Sequence, residues 1–324
     1  MLIVQKFGGS SIADGDRLRR AAGICMRQRQ NGNEVVVVVS AMGDTTDLLA
    51  DRARVLGGKP SPREMDALIT TGEQQSAALL VMTMESLGIP AVSLAGWQAG
   101  IYTDCRYGDS DIRLIAPVRI REALGRGRVP VVTGFQGVCA AGDITSLGRG
   151  GSDTTAVALA AALESDCCEI YTDVDGIYTA DPRLIPDAVK LSAIDYRDML
   201  ALAEAGSQVL HAKSVELAMA NSVVIHLLSS FTDAPGSQVR ALRDGSRPDF
   251  AGITRSRASG EISLAGKAAD AAALSRAVLL LAAEGIEVLS GSVGDGRISV
   301  LVEEAEQPHA MQLLHREMIL GALK

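Results

Sequence analysis

The sequence predicts an α/β protein in which a mostly parallel sheet lies between helices, followed by a small α+β domain. Hydrophobic residues make up 47% of the 324 residues but aromatic residues only 3%, so the core must be built from aliphatic side chains. The valine run at 35–39 is continuously β-branched, which is typical of a central parallel strand buried on both faces. Strand patterns alternate with helical patterns along most of the chain, which indicates parallel β-α-β connections.

The composition limits the kinds of molecule that the protein is expected to bind. The formal net charge is −8 and no Lys/Arg-rich block occurs, which argues against nucleic acid or an acidic membrane as the main partner. The N-terminus has no signal-peptide pattern, and the apolar runs are too short to span a bilayer. The five cysteines have no CxxC spacing, which indicates reduced thiols and no metal-ligating motif. We therefore expect a cytoplasmic protein that binds neither nucleic acid nor membrane.

The N-terminal part is predicted to consist of strand–loop–helix units with small polar residues in the loops. A strand over 2–7 ends in a Gly-Gly-Ser-Ser turn with Lys6 at its edge, and a helix begins near residue 14 or 16. The valine strand ends in a similar loop at 41–47. Ligands of open α/β sheets bind at the carboxyl ends of strands, so Ser40, Thr45 and Thr46 are placed for binding, although turn chemistry alone explains them too. In the helical pattern over 65–87, Glu73 is either an exposed cap acid or a substrate-facing one.

The stretch at 145–155 has the composition of an anion site. Glycines and Arg149 surround Ser152 and Asp153, and an Ala-rich helix over 156–163 follows. Either of these two residues is a good N-cap, glycine amides can approach an anion closely, and the arginine fork suits a carboxylate or phosphate. An ordinary loop-to-helix turn explains an isolated stretch of this kind equally well.

The second half begins with a strand at 168–172 that runs into an acidic, Gly- and Pro-containing loop over 172–183. Such a loop is expected over a nucleotide, and it could instead hold a hard cation, although its spacing matches no EF-hand. Helices are predicted over 196–205 and 209–221. The turn-rich segment 235–248 predicts a domain boundary, with domains at 1–235 and 250–324 and a linker at 236–249. The tail has the pattern β-α-β-β-α, with strands at 261–265, 287–290 and 297–302 and helices at 269–285 and 307–320.

Five stretches occur together in this order: Lys6-Phe7-Gly8-Gly9-Ser10-Ser11, Val39-Ser40-Ala41-Met42-Gly43, Gly134-Phe135-Gln136-Gly137, the Gly-rich stretch 147–155 and the acidic loop 171–183. Together they resemble the aspartate kinases (aspartokinases) of the amino acid kinase family over residues 1 to about 235. The tail resembles a single, incomplete ACT regulatory domain. The resemblance implies an amino acid kinase fold followed by this small ACT-like domain.

The resemblance implies an enzyme that transfers a phosphoryl group from ATP to the side-chain carboxylate of L-aspartate, giving 4-phospho-L-aspartate. This is the first step toward lysine, threonine and methionine, or toward a specialised aspartate-derived pathway. The acceptor is already ionised at neutral pH, so no general base is required. Mg²⁺ would be carried mainly by the ATP phosphates. Two alternatives remain open: a weakened or regulatory paralogue that acts with a partner, and a kinase for another small amino acid carboxylate.

The resemblance also implies residue roles. Lys6 would contact the transferring phosphate, and Asp153 would orient that lysine. The implied aspartate pocket consists of Ser40, Thr46, Glu73, Arg149 and Ser152. With Lys6, the implied ATP site consists of Gly8, Gly9, Ser10, Thr172, Asp173, Tyr178, Asp181, Arg183 and Gln208. No residue is implied to ligate a metal directly.

Two features depart from the family pattern. Gln208 stands where a lysine that helps to hold ATP is usual, which predicts weaker ATP binding unless nearby Lys213 substitutes. The tail has room for about one ACT module where two are typical. Since an incomplete sheet leaves an edge that another subunit can cover, we expect a homodimer or higher homo-oligomer formed through the ACT-like domain.

Overall fold

The computed structural model of the protein describes residues 1–256 and 258–322. The chain forms two compact units: the first comprises Met1–Asp175 and Ala220–Pro235, and the second comprises Gly176–Met219 and the described residues of Gly236–Lys324. Residues 176–219 thus group with the C-terminal part of the chain, and the domain limits at 235 and 249 remain a prediction. Within the described residues, no helix has the length and apolarity needed to cross a membrane.

The strands are β1 (Leu2–Phe7), β2 (Glu34–Val39), β3 (Ala91–Leu94), β4 (Ile101–Thr103), β5 (Ile112–Ile115), β6 (Val129–Thr133), β7 (Gln136–Cys139), β8 (Ile144–Ser146), β9 (Cys167–Thr172), β10 (Ile177–Tyr178), β11 (Lys190–Leu191), β12 (Ala193–Ile194), β13 (Ile225–Ser229), β14 (Ser237–Val239), β15 (Gly252–Arg255), β16 (Glu261–Ala265), β17 (Ser290–Gly294) and β18 (Arg297–Leu301). The helices are α1 (Gly15–Gln30), α2 (Thr45–Val55), α3 (Pro62–Ile69), α4 (Thr71–Ser86), α5 (Val118–Gly125), α6 (Gly151–Leu163), α7 (Tyr196–Glu204), α8 (Ala212–Asn221), α9 (Ala271–Ala283) and α10 (Gln307–Leu314), the last continued by a π-helical turn, His315–Ile319.

The first unit is built on a parallel sheet with the strand order β13-β9-β1-β2-β6-β3. All five valines of β2 are buried, so the predicted central strand is confirmed. Helices α1 and α4 cover one face of the sheet, while the Ala-rich α6 packs on β1 and β9. A smaller sheet, β5-β4-β7-β8, lies beside the start of α6. The prediction of a mostly parallel sheet between helices is confirmed.

The second unit contains an antiparallel sheet with the order β15-β16-β18-β17, and α9 and α10 share a core with it. Two features of this sheet differ from the sequence prediction. Strand β15 was not predicted, because its short sequence carries no clear alternation. The strand predicted at 287–290 is wrong: β17 starts at Ser290, because Asp295 and Gly296 both have positive φ and form a tight two-residue hairpin that sets its register with β18.

The segment predicted as a linker is an ordered part of the second unit. It contributes β14, and the side chain of Arg247 is 9% exposed and forms an ion pair with Asp198 of α7. A buried charge requires a partner, so this pair fixes the segment against α7. Helix α8 begins at Ala212, three residues later than predicted, because the carbonyl of His211 accepts from the amide of Ser214 at its start.

Candidate active site

The first unit contains a cavity of about 830 Å³ at the carboxyl ends of β1 and β2 and the start of α6. Its volume is in the range of small-molecule sites, and its position is where open α/β sheets bind ligands. The cavity brings together residues that were predicted from distant parts of the sequence: Lys6, Gly9, Ser40, Thr46, Glu73, Arg149, Ser152 and Asp153.

Lys6 and Asp153 form an ion pair at the base of this cavity. The Lys6 Nζ atom lies 2.6 Å from the Asp153 Oδ1 atom, and the two side chains are only 10% and 15% exposed. Lys6 precedes the last residue of β1, and Asp153 lies in the first turn of α6. The ion pair holds the ammonium group of Lys6 beside the Gly-rich turn, where it can contact a bound anion.

The Gly8-Gly9 turn is held tightly beside Lys6. The amide of Gly8 donates to the carbonyl of Tyr171 on β9 at 3.1 Å. A Cβ atom at Gly9 would lie 2.6 Å from the carbonyl oxygen of Ala41, a distance that no side chain tolerates. Only glycine therefore lets the turn after β1 approach the loop after β2.

The start of α6 corrects the predicted cap. Neither Ser152 nor Asp153 is the N-cap; that position is Gly150, with φ of 69° in the left-handed region that favours glycine. Because neither side chain caps the helix, both line the cavity from the first turn of α6. The partial positive charge of the helix start also favours anions at this place. Arg149 precedes the cap, is exposed, and forms no ion pair with the described residues.

Glu73 is a buried acid that lines the cavity and is not an exposed cap residue. It lies in the first turn of α4, is 3% exposed and accepts a hydrogen bond from the amide of Ala41 at 3.1 Å through Oε1. Its other oxygen, Oε2, has no hydrogen-bond partner among the described residues. Burial raises the pKa of the Glu73 carboxyl to about 7. A buried carboxylate with an unused oxygen is suited to a cationic group of a ligand.

Asp66 is a cavity residue that sequence reasoning missed. It is 1% exposed on α3, and its Oδ2 atom accepts from the amides of Gly108 and Ser146, each at 2.9 Å. Its Oδ1 atom accepts from the Ser146 hydroxyl at 2.6 Å. Asp66 thus fixes two walls of the cavity. The signal available in the sequence was an acidic residue within the apolar pattern of a short helix. Its hydrogen-bond partners lie 42 and 80 positions further along the chain, so no local pattern indicated them.

The predicted ATP residues are distributed over both units. In the first unit, Gly8 and Ser10 belong to the turn after β1. Thr172 is the last residue of the neighbouring strand β9, and its hydroxyl donates to the carboxylate of the next residue, Asp173, at 3.0 Å. In the second unit, Tyr178 ends β10, and Asp181 forms an ion pair of 2.7 Å with Arg183. Gln208 is exposed between α7 and α8 and lines a separate cavity of about 310 Å³. The nucleotide role of these residues remains a prediction.

Comparison with known proteins identifies the family. The model of the "Amino acid kinase family" matches residues 1–229. The chain belongs to the amino acid kinase family. It is 49% identical to an aspartokinase of Mycolicibacterium smegmatis over 269 residues, which cover 82% of this chain and 64% of that protein. The chain thus matches just under two thirds of the length of this relative.

Two further comparisons support the same grouping within the amino acid kinase family. An aspartokinase of Corynebacterium efficiens is 44% identical over 326 residues, which cover 97% of this chain and 77% of that protein. The fold matches E. coli aspartokinase III, solved in complex with aspartate and ADP, with a TM-score of 0.86 over 98% of this chain and 100% of that chain at 20% identity. The resemblance to the aspartokinases inferred from the sequence is confirmed, whereas the ACT-like character of the tail remains a prediction.

Proposed function

We propose that the protein is an aspartate kinase that uses ATP to phosphorylate the side-chain carboxylate of L-aspartate, giving 4-phospho-L-aspartate. The observation that carries the proposal is the arrangement of Lys6, paired with Asp153, in one cavity with Arg149 and Glu73. The aspartokinases among its relatives, and the aspartate and ADP bound to the E. coli protein, support the same choice of substrates.

The charges of the cavity match those of L-aspartate. The amino acid carries two carboxylates and one ammonium group. Arg149 offers a planar fork to a carboxylate, with Ser152 beside it, and the unused oxygen of Glu73 offers a partner to the ammonium group. Ser40 and Thr46 line the same cavity and would complete the contacts.

Lys6 would counter the repulsion between the two reacting anions. Two unit charges 4 Å apart repel by about 4 kcal/mol at an effective dielectric constant of 20, so an acceptor carboxylate approaches ATP only if cations compensate. The carboxylate oxygen is itself the nucleophile and has no proton to lose, so the chain needs no general base. Asp153 acts through Lys6 as a positioning residue.

Mg²⁺ would enter the site with the nucleotide. Asp153 is engaged by Lys6, and among the described residues the cavity contains no group of three metal-ligating side chains. Phosphate oxygens and water would therefore supply most ligands, as this cation prefers. When bound, Mg²⁺ neutralises charge on the phosphates that are transferred and released.

The decisive experiment is a hydroxylamine trap. Purified protein with ATP, Mg²⁺ and hydroxylamine should form aspartyl hydroxamate from L-aspartate, and less product from L-glutamate or from succinate, which lacks the ammonium group. A preference for another acid would support a different acceptor. Product formation only after a partner protein is added would support a regulatory paralogue. The product would enter the lysine, threonine and methionine branch or a specialised pathway in the cytoplasm, where free thiols such as the five of this chain stay reduced.

The Glu73 assignment predicts a pH-dependent Michaelis constant. Only the ionised carboxylate can bind an ammonium group, and its pKa is about 7. The KM for L-aspartate should therefore fall about tenfold between pH 6 and pH 8. Glu73→Gln should raise KM and flatten this profile, whereas Glu64→Gln, an exposed acid on the neighbouring helix α3, should leave it unchanged. An unaltered profile in Glu73→Gln would contradict the assignment.

The same shift has a stability consequence in the ligand-free protein. Because the folded-state pKa is raised above its ordinary value of 4.5, the protonated form stabilises the fold at low pH. This contribution is present below about pH 4.5 and is lost as the pH rises through about 7.

Gln208 predicts an ATP affinity that can be improved. An exposed glutamine offers a neutral donor where the family pattern has a lysine, and a charge-assisted contact to phosphate is stronger than a neutral one. Gln208→Lys should lower the KM for ATP by about fivefold. Gln312→Lys on α10 adds the same charge elsewhere in the second unit and controls for a general electrostatic effect. An unchanged or higher KM in Gln208→Lys would remove Gln208 from the nucleotide site.

We also propose that two copies of the chain associate through the second unit. Strand β17 is an edge of its sheet, and every one of its residues is exposed. Val293 on this strand is 44% exposed, and Leu279 on the adjoining helix α9 is 70% exposed. An open edge beside exposed apolar side chains is suited to pairing with another strand, and a second copy supplies an identical one.

This association predicts a measurable change in mass. Light scattering should give at least twice the mass of one chain for the unmodified protein and the mass of one chain for the double variant Val293→Lys, Leu279→Lys. Val55→Lys, at an exposed apolar residue of the first unit, should not change the mass. A monomeric unmodified protein, or a double variant that still dimerises, would contradict the proposal.

A further inference from the structure

A second group of chemically reactive side chains lies in the first unit, outside the cavity described above. Cys167 and Glu169 are on β9, and His226 is on the adjacent parallel strand β13, directly beside Glu169 in register. The Cys167 sulfur, a carboxylate oxygen of Glu169 and a ring nitrogen of His226 all lie within 4.8 Å of one another. Because side chains alternate along a strand, this group is on the opposite face of β9 from Cys168.

We infer that Cys167, Glu169 and His226 form a binding site for a zinc ion. One thiolate, one imidazole and one carboxylate are the three kinds of ligand that Zn²⁺ accepts, and hard cations such as Mg²⁺ do not select the thiolate. Three protein ligands leave a fourth position of the tetrahedron for water. On binding, the thiol proton passes to solvent and a Zn–S bond forms, so charge and atoms balance.

The distances require only a small contraction. Ligand atoms around a tetrahedral zinc ion are roughly 3.5 Å apart, given bonds of about 2.0–2.3 Å. The present separations are at most 4.8 Å, so they need to shorten by no more than about 1.3 Å. His226 is half-buried, so the group has an approach from the surface of the unit.

The carboxylate of Glu169 is already oriented as a metal ligand would be. Its Oε2 atom accepts from Gln5 Nε2 at 2.8 Å and from the Tyr171 hydroxyl at 2.9 Å, and its Oε1 atom accepts from Gln28 Nε2 at 3.1 Å. A carboxylate has about four acceptor positions, so one remains, on Oε1. Hydrogen bonds of this kind fix the carboxylates that bind metals.

The local charge also favours a cation. Glu169 is 6% exposed, and among the residues that the structure describes it has no lysine or arginine in an ion pair. Beside it, the Oε1 atom of Gln5, a fully buried residue, has no hydrogen-bond partner. Buried anions are costly unless they are paired or bind a metal. A divalent ion would supply the missing positive charge.

The test is metal binding by the untagged, reduced protein. Competition between the protein and a chelator for Zn²⁺ should reveal one tight equivalent. Substitution with Co²⁺ should give the near-ultraviolet absorption of a cobalt–thiolate bond. Cys167→Ser should abolish this absorption, and His226→Gln should weaken Zn²⁺ binding by at least about tenfold while the absorption can still be restored at higher Co²⁺.

Two further variants make the test specific. Cys105→Ser removes the exposed thiol and should leave the affinity unchanged, whereas Tyr171→Phe removes only the donor to Glu169 and should cost about tenfold. Circular dichroism establishes that each variant is folded, and His226→Gln decides the matter if Cys167→Ser does not fold. Binding that survives His226→Gln unchanged, or that is lost in Cys105→Ser, would overturn the inference.

Discussion

Replacing Lys6 with methionine is expected to lower kcat by about 100- to 1000-fold, the usual cost of removing one preorganised group that stabilises the transition state. Methionine has a similar length and shape but no charge, so the transferring phosphoryl group loses its nearest protein cation. Of the described residues that line the cavity, Lys6 and Arg149 are the cations. An assay of ADP release with saturating L-aspartate measures the effect.

The partner of Lys6 provides the internal control. Lys6→Met leaves Asp153 largely buried without its cation, so some loss of stability accompanies the loss of activity. In Lys6→Met, Asp153→Asn both charges are gone, and stability should recover while kcat stays low. Asp153→Asn alone should lower kcat, but the two effects should not add, because Asp153 acts by positioning Lys6. Lys59→Met, at an exposed lysine, should be neutral; a kcat of Lys6→Met within tenfold of the unmodified protein would exclude Lys6 from the reaction.

Arg149→Ala is expected to raise the KM for L-aspartate by about 10- to 100-fold with kcat changed only severalfold. The variant loses a charge-assisted, two-pronged contact to a carboxylate that is present in both the ground state and the transition state. Steady-state kinetics with each substrate varied in turn separates the two Michaelis constants. Because Arg149 is exposed and has no ion pair with the described residues, the thermal stability should not change.

Two arginine variants define what Arg149 contributes. Arg149→Lys keeps the charge but loses the planar fork, and its KM should lie between those of the unmodified protein and Arg149→Ala. Arg52→Ala, at an exposed arginine on α2, should have no effect. An equal increase in the KM for ATP would place Arg149 on the nucleotide and would leave the aspartate carboxylate without its main partner.

The sequence was most informative where a local pattern had one physical solution. The valines of β2 can be satisfied only by burial on both faces, and this strand lies between β1 and β6 in the sheet. The role of Glu73 could not be decided from spacing, because its burial depends on how α4 meets the loop at Ala41. The pairing of Lys6 with Asp153 came from the family pattern, since the two residues are far apart in sequence.

Other features depend on tertiary contacts that no local pattern contains. Asp66 binds two amides from distant segments, and only the folded chain brings them to it. The cap of α6 depends on the left-handed backbone of Gly150, whereas a polar side chain appeared the better cap by propensity. The neighbouring residues Asp295 and Gly296 were sufficient to predict the hairpin. The misplaced start of β17 was therefore an error of interpretation, because the sequence contained the necessary information.

The backbone around Arg149 has a consequence for how specificity can change. Gly148 and Gly150 both adopt left-handed conformations, with φ of 72° and 69°. The shape of this turn is therefore set by the flanking residues and is independent of the side chain between them. Position 149 can exchange one side chain for another without refolding the turn. On the role proposed for Arg149, a protein that must accept a different acid can therefore change this side chain while it keeps the turn that presents it.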